Sequence, residues 1–178
     1  MGLDFDIIIP DIDETLSDGE SPGEFALRLS LEKALSVSGG LEGERFVIGA
    51  DTIVVVDDLV LGKPSDKIDA ALMLNTLSGK EHTVSTAFTI TKPKKKVLHS
   101  EIVTTRVSVK SLEPHEIQGY IKTGECMDKA GAYAIQGIGA FMIRCIEGSY
   151  TNVVGLPLVE VLEALEKIGF GSGFSQNP

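Results

Sequence analysis

The stretch RFVIGADTIVVV, residues 45–56, constrains the fold more than any other part of this chain. Its run of Ile and Val is typical of a strand buried in a sheet. The same stretch carries Asp51 and Thr52 near its start. A buried carboxylate is costly unless it is paired or has a function. The sequence therefore predicts a sheet built around this strand, with Asp51 held there for a specific reason.

Further strands and capped helices surround this central strand. In the first helix Ser21 is a candidate N-cap, Pro22 takes the first helical position, and Glu24 completes a capping box. Runs of strands with interspersed helices predict an α/β or α+β domain with a mixed sheet. The other predicted strands are FDIIIP, a short return strand in DDLVLGKP, EHTVSTAFTI, KVLHSEIVTTRVSVK, GAYAIQG and GAFMIRCIEGS. The predicted helices run from Ser21 to Gly39, from Ser65 to Gly79, through EPHEIQGYIKTG, and from Pro157 to Gly169.

Length and charge narrow the class of protein. The 178 residues suffice for one domain, which we expect over residues 1–170, followed by a loose tail at 171–178. The formal net charge of −10 argues against a broad basic surface, so polymeric nucleic acid is not an expected partner. The apolar runs are shorter than the stretch of about 20 residues that a membrane helix needs. The acidic start MGLDFDIIIPDIDE is unlike a signal peptide, and we expect a cytoplasmic protein.

One short motif suggests phosphatase chemistry. The segment IIIPDIDETLSDG resembles the opening motif of haloacid-dehalogenase-type phosphatases, which would make Asp11 the nucleophile and Asp13 the acid/base. Against this, Pro10 breaks the strand where the nucleophile should be presented, and Glu14 replaces that family's glycine. After residue 69 the only aspartate is Asp128, so the later acidic cluster for Mg²⁺ is missing. This interpretation is a distant alternative.

Three longer segments point to a different family. GADTIVVVDDLVLGKP, GECMDKAGAYAIQG and EGSYTNVVGLPL follow one another in the chain. Together they resemble the Maf family of nucleoside triphosphate pyrophosphatases, also called septum-formation-inhibitor-like proteins, over almost the whole chain. The DKAGAY and IQG segments resemble the branch that acts on dTTP and UTP. The resemblance implies an α/β fold of two lobes around a mixed, bent sheet, with the nucleotide in a central cleft, and a homodimer.

The same resemblance implies roles for individual residues. Asp51 matches the family's proton acceptor, and Thr52 and Gln136 match positions of substrate specificity. The candidate phosphate-binding residues are Lys33, Lys63 and Lys129, and Asp128 is a further candidate substrate-binding residue. Glu14, with Asp51, is a candidate ligand for Mg²⁺ or Mn²⁺, since a divalent cation would neutralise charge on the leaving pyrophosphate.

Plainer interpretations of these residues stay open. Asp51 could satisfy a turn or cap a helix, and each lysine could be an ordinary surface lysine. Gln136 could be a polar residue at a strand edge, and Glu14 could belong to a solvated acidic loop. The family also has an upstream Ser-x-Ser-Pro-Arg-Arg segment whose arginines hold the triphosphate, and this chain is expected to be shortened there. A catalytically silent protein that binds nucleotide or a protein partner is therefore the alternative to an active enzyme.

Overall fold

The computed structural model describes residues 4–171 of the chain. The predicted tail at 171–178 therefore lies outside the described residues except for Gly171. The helices of the described part are α1 (Pro22–Ser38), α2 (Lys67–Leu77), α3 (Pro114–Thr123), α4 (Tyr150–Val154) and α5 (Leu158–Lys167). Its strands are β1 (Val47–Val56), β2 (Leu59–Leu61), β3 (Glu81–Lys92), β4 (Lys96–Val109) and β5 (Ile143–Glu147).

The five strands form one sheet in the order β2-β1-β3-β4-β5. The predicted α/β class is confirmed, but the sheet is antiparallel where the sequence predicted a mixed one. The pairs β1 with β2 and β4 with β5 show this directly. In the β1–β2 turn, Asp57 and Asp58 take the left-handed conformation, with φ of 47° and 65°, as a tight hairpin between antiparallel strands requires. Antiparallel neighbours can be joined by a tight turn of this kind, whereas parallel neighbours need a long crossover.

The helix boundaries follow local capping chemistry. In α1 the Ser21 hydroxyl accepts from the Glu24 backbone nitrogen, and the Glu24 side chain accepts in return from Ser21, as predicted. The predicted cap of α2 is wrong by one residue. Asp66, rather than Ser65, is the N-cap, because its carboxylate accepts from the backbone nitrogens of Ile68 and Asp69. The helix α4 is not among the predicted helices, and its N-cap is Ser149, whose hydroxyl accepts from the Asn152 backbone nitrogen.

Two compact units can be distinguished in the chain. The first comprises Met1–Asp51, Ala87–Ile102 and Leu156–Pro178. In this unit α1 lies directly against β1 at Gly49. A Cβ atom at Gly49 would lie 2.3 Å from the Ser30 carbonyl oxygen and 2.5 Å from the Ala34 backbone nitrogen. The position therefore requires glycine, and the seat of α1 is fixed by backbone atoms.

The second unit comprises Thr52–Thr86 and Val103–Gly155. Its apolar core includes buried side chains from α2, α3 and the strands, among them Val54, Leu74, Val84, Val107 and Tyr120. The single domain expected over residues 1–170 stays a prediction.

The N-terminal strand predicted in FDIIIP is wrong. The described residues 4–10 lie outside any helix or strand. Phe5, Ile7, Ile8 and Ile9 are all exposed. These residue types favour a strand, but a strand also needs a neighbour for its N–H and C=O groups, and none of the five sheet strands takes that place.

The strand predicted in GAYAIQG is also wrong, and the one in GAFMIRCIEGS is shorter than predicted. Ala130–Ala132 and Gly137–Met142 are turns of 3₁₀ helix, and β5 begins only at Ile143. Gly131 and Gly137 have φ of 70° and 73°, which interrupts extended backbone. The apolar alternation is present, but the glycines decide the local conformation.

Candidate functional site

An ammonium group held between two carboxylates is the main charged feature of the first unit. Lys33 Nζ lies 2.6 Å from Asp51 Oδ1 and 2.7 Å from Glu14 Oε1. The side chains of Lys33 and Asp51 are only 18% and 12% exposed, whereas that of Glu14 is 49% exposed. Burial lowers the pKa of Lys33, but the two carboxylates outweigh it, so the net shift is upward and the side chain stays an ammonium.

The placement of Asp51 follows from its spacing to Gly49. Residues two apart in a strand point to the same face, so Asp51 faces the same side as Gly49, against which α1 is seated. Lys33 lies in α1 just before Ala34, whose backbone touches the Gly49 position. The close helix–strand contact thus brings the ammonium to the carboxylate. The costly Asp in the strand is paired, as its burial demands.

Arg28, which the sequence did not single out, anchors the loop next to Glu14. Its guanidinium donates to both carboxylate oxygens of Glu20, at 2.7 and 2.9 Å, and to the Thr15 carbonyl oxygen at 2.9 Å. This two-pronged ion pair ties the acidic loop to α1. Arg28 lies eight residues after Glu20, and an arginine in a helix that directly follows an acidic loop is the sequence signal that could have indicated this contact.

Asp11 and Asp13 lie in this exposed loop and not at the end of a strand. The Asp13 carboxylate accepts two hydrogen bonds from Thr15, two residues away. The Thr15 hydroxyl donates at 2.6 Å and the Thr15 backbone nitrogen at 2.9 Å, both to Asp13 Oδ1. These bonds lower the pKa of Asp13, which disfavours a role as a proton donor. The structure therefore does not form the strand on which the phosphatase interpretation depends.

In the second unit Thr52 belongs to a buried hydroxyl and amide network. Its hydroxyl lies 2.9 Å from that of Thr86 and 3.5 Å from the Gly155 carbonyl oxygen. Thr86 is held in turn by the fully buried Asn152, whose Oδ1 accepts from the Thr86 backbone nitrogen at 3.1 Å. The Asn152 amide also donates to Val84 O and Thr105 Oγ1, both at 2.9 Å. Thr52 thus has a fixed orientation.

Two loops that carry candidate phosphate-binding residues touch each other in the second unit. The Gly131 backbone nitrogen donates to Gly62 O at 3.0 Å, which brings the Lys63 turn beside the loop of Asp128 and Lys129. Lys129 Nζ lies 2.7 Å from Asp128 Oδ1. That hydrogen bond, with the charges of Lys129 and Lys63, lowers the pKa of Asp128. Lys63 and Asp128 are exposed, so these charges face solvent.

Gln136 is exposed and immediately precedes the 3₁₀ turn that starts at Gly137. No hydrogen bond joins its side chain to any other residue within the described part of the chain.

The structure places the sequence-predicted residues in two sets, one in each unit. The first unit holds Glu14, Lys33 and Asp51, and the second holds Thr52, Lys63, Asp128, Lys129 and Gln136. Among the described residues, no group of three or more His, Cys, Asp or Glu could hold a metal ion.

The sequence of this chain is matched by known proteins. A family model described as Maf-like protein matches residues 1–168. The chain belongs to this Maf-like family. A protein of Thermoanaerobacter sp. (strain X514) is 48% identical over 167 residues, which are 94% of this chain and 87% of the relative. A protein of Geotalea uraniireducens is 49% identical over 168 residues, which are 94% of this chain and 86% of the length of that relative.

A third relative, from Syntrophotalea carbinolica, is 51% identical over 95% of this chain and 77% of its own length. All three relatives carry the name dTTP/UTP pyrophosphatase. The resemblance seen in the sequence is thereby confirmed. Within residues 4–171, no helix has the length and apolar character needed to cross a membrane.

Proposed function

We propose that this chain is a nucleoside triphosphate pyrophosphatase that hydrolyses dTTP and UTP to the monophosphate and pyrophosphate. The observation that carries the proposal is the partly buried Lys33–Asp51 ion pair, since the resemblance implies that Asp51 is the proton acceptor. The names of the relatives support the substrate.

In the proposed reaction a water oxygen attacks the α-phosphorus, and the bond from that phosphorus to the bridging oxygen breaks. Pyrophosphate leaves, and the proton of the water passes to Asp51. An ammonium at 2.6 Å favours the ionised carboxylate, which is the form that can accept a proton. A base on a rigid strand keeps its geometry during the reaction, which a base on a mobile loop would not.

The proposed contacts to the nucleotide are those that the resemblance implies. Lys63 and Lys129 are the cations for the phosphates, and Asp128 orients Lys129 through their ion pair. Thr52 and Gln136 are the proposed specificity residues. The Gln136 amide offers both a donor and an acceptor, which matches the edge of a pyrimidine base.

The carboxylates of Glu14 and Asp51 fit a divalent cation, which we propose to be Mg²⁺ or Mn²⁺. Such cations bind oxygen ligands and commonly use one or two carboxylates together with the substrate phosphates. Here two carboxylates already converge on one positive charge, that of Lys33 Nζ. A bound cation would neutralise the charge that develops on the leaving pyrophosphate.

A product assay tests the proposal. The purified chain is incubated with dTTP, UTP, CTP and GTP in Mg²⁺, and the products are separated by ion exchange. We expect monophosphate and pyrophosphate from dTTP and UTP. Asp51→Asn should lower kcat by about a hundredfold or more, the usual weight of a general base. Asp57→Asn is the matched control, since Asp57 forms a surface ion pair with Lys80 and is 70% exposed.

Two outcomes would contradict the proposal. Unchanged turnover in Asp51→Asn would remove Asp51 as the base. No turnover from a demonstrably folded chain would favour the silent alternative, a protein that only binds nucleotide or a partner. A rise in melting temperature with millimolar UTP would then separate nucleotide binding from no binding at all.

The resemblance also supports a homodimer. We propose a cytoplasmic location, since nucleoside triphosphates are metabolites of that compartment. Sedimentation velocity on the purified chain measures the oligomeric state. A dominant species at the mass of one 19.0 kDa chain would contradict the homodimer.

A further inference from the structure

The orientation of Gln136 depends on its backbone and not on contacts of its own side chain. The residue is exposed, and its amide bonds to no other described residue. A side chain that distinguishes bases must nevertheless present its donor and acceptor in a fixed place. The backbone on either side of Gln136, residues 134–139, must therefore be held by other groups. These residues are called the Gln136 segment below.

The Glu125 carboxylate holds the backbone that follows Gln136. Glu125 Oε2 accepts from the Ile138 backbone nitrogen at 2.9 Å, and Oε1 accepts from the Gly139 backbone nitrogen at 2.8 Å. These two hydrogen bonds lower the pKa of Glu125, and the bond from Gly139 has the larger effect. The carboxyl group is therefore an anion at neutral pH. Hydrogen bonds to an anion are stronger than those between neutral groups.

Tyr120 extends the same contact to the backbone that precedes Gln136. The Tyr120 hydroxyl accepts from the Ala134 backbone nitrogen at 3.1 Å and donates to Glu125 Oε1 at 3.1 Å. Burial raises the pKa of Tyr120, so its hydroxyl keeps the proton that it donates. One carboxylate and one phenol thus hold the residue two places before Gln136 and the residue two places after it.

Two glycines show how closely this segment is seated. A Cβ atom at Gly137 would lie 2.4 Å from Glu125 Oε2. A Cβ atom at Gly139 would lie 2.4 Å from the Ala134 carbonyl oxygen and 2.8 Å from the Tyr120 hydroxyl oxygen. All three distances are far inside van der Waals contact. At Gly139 the close atom is a backbone oxygen, so only glycine fits there, whereas Gly137 favours glycine because its φ is 73°.

We propose that Glu125 is a positioning residue which, with Tyr120, fixes the Gln136 segment and thereby determines discrimination between pyrimidine bases. This rests on the proposed function of Gln136 as the residue that contacts the base. Glu125 itself touches no reacting atom in this proposal. It acts through the backbone nitrogens of Ile138 and Gly139.

The test replaces Glu125 by Gln, which keeps the shape but puts an amide where two backbone donors need acceptors. Hydrogen exchange followed by NMR should show about tenfold faster exchange at Ile138 and Gly139, as for one lost charge-assisted hydrogen bond. The ratio of kcat/KM for UTP over CTP should fall about tenfold, mainly through KM, because the base is held less well. Dissociation constants for UTP and CTP are measured in parallel by calorimetry.

Glu116→Gln is the matched control. Glu116 also accepts from a backbone nitrogen, that of Glu113 at 2.9 Å, and lies in the same unit without touching the Gln136 segment. In this control variant the ratio of kcat/KM for UTP to kcat/KM for CTP should equal that of the unmodified chain. Tyr120→Phe should give an intermediate loss, since it removes only the Ala134 contact and one donor to Glu125.

The outcomes separate this inference from the proposed function. Unchanged exchange at Ile138 and Gly139 in Glu125→Gln would overturn the positioning role. Faster exchange with full base discrimination would overturn it as well, while leaving the pyrophosphatase intact. An unmodified chain that binds UTP no better than CTP would remove Gln136 as the base reader, and the inference would fall with it. An unmodified chain that discriminates in binding but turns nothing over would refute the enzyme and still test Glu125.

Discussion

Because α1 packs directly against Gly49, an added methyl group at this position should destabilise the protein by an amount that the distances allow us to calculate. In Gly49→Ala the new methyl group would lie 2.3 Å from Ser30 O and 2.5 Å from Ala34 N. Such contacts normally exceed about 3.4 Å, so α1 must retreat by roughly 1 Å. Overpacking of this kind costs about 1–3 kcal/mol, and backbone neighbours favour the upper part of that range. The expected fall in melting temperature is roughly 4–12 °C for a chain of this size.

The same retreat should weaken the Lys33–Asp51 pair. The 2.6 Å contact would lengthen beyond the range of a charge-assisted hydrogen bond, and kcat/KM should fall about tenfold or more. Calorimetry measures the stability, and the product assay measures the activity. Gly119→Ala is the control, because a Cβ atom there meets nothing within 4 Å and the residue lies inside α3. It should stabilise the chain by about 0.5–1 kcal/mol. A Gly49→Ala variant as stable as the unmodified chain, or less stable with full activity, would refute this reasoning.

Three further predictions concern the second unit. Asn152→Ala should cost about 2–4 kcal/mol in urea unfolding, because it leaves buried backbone groups and a hydroxyl unsatisfied. Burial lowers the pKa of His82 to about 4 from 6.5, so the unfolded state binds more protons and stability falls as the pH falls through that window. Between pH 8 and pH 5 this loss should be about 2 kcal/mol, and His82→Phe should lack it. Thr52→Val should remove the hydroxyl contact with Thr86, cost about 1 kcal/mol in unfolding, and change the dTTP to CTP preference of turnover.

The helices were largely predictable because their ends are set by chemistry within a few residues. The capping box of Ser21 and Glu24 is readable in four letters, and the structure has it. Even so, the choice between Ser65 and Asp66 as a cap depends on which side chain reaches the first free backbone nitrogens. Such a difference of one residue is not visible in the residue types, since both are good caps.

The failures at FDIIIP and GAYAIQG have two different physical causes. The first has the composition of a strand, but whether a strand forms depends on a partner distant in sequence. The second has apolar alternation, but Gly131 and Gly137 adopt positive φ, and the backbone nitrogens that follow bond to a side chain instead of a strand. Glycine permits both a strand and a turn, so residue type alone could not decide.

For the candidate site, the sequence could name Asp51 and Lys33 but not their contact, since they are 18 residues apart. The contact becomes intelligible once Gly49 and Asp51 are considered together. Two residues apart on a strand, they share one face, and the first admits the helix that carries the partner of the second. A larger residue at position 49 would hold α1 away and leave the largely buried carboxylate of Asp51, 12% exposed, without the ammonium of Lys33. The Gly-Ala-Asp segment therefore joins a packing requirement to an electrostatic one, and this explains how a strand of Ile and Val tolerates a charge at that position.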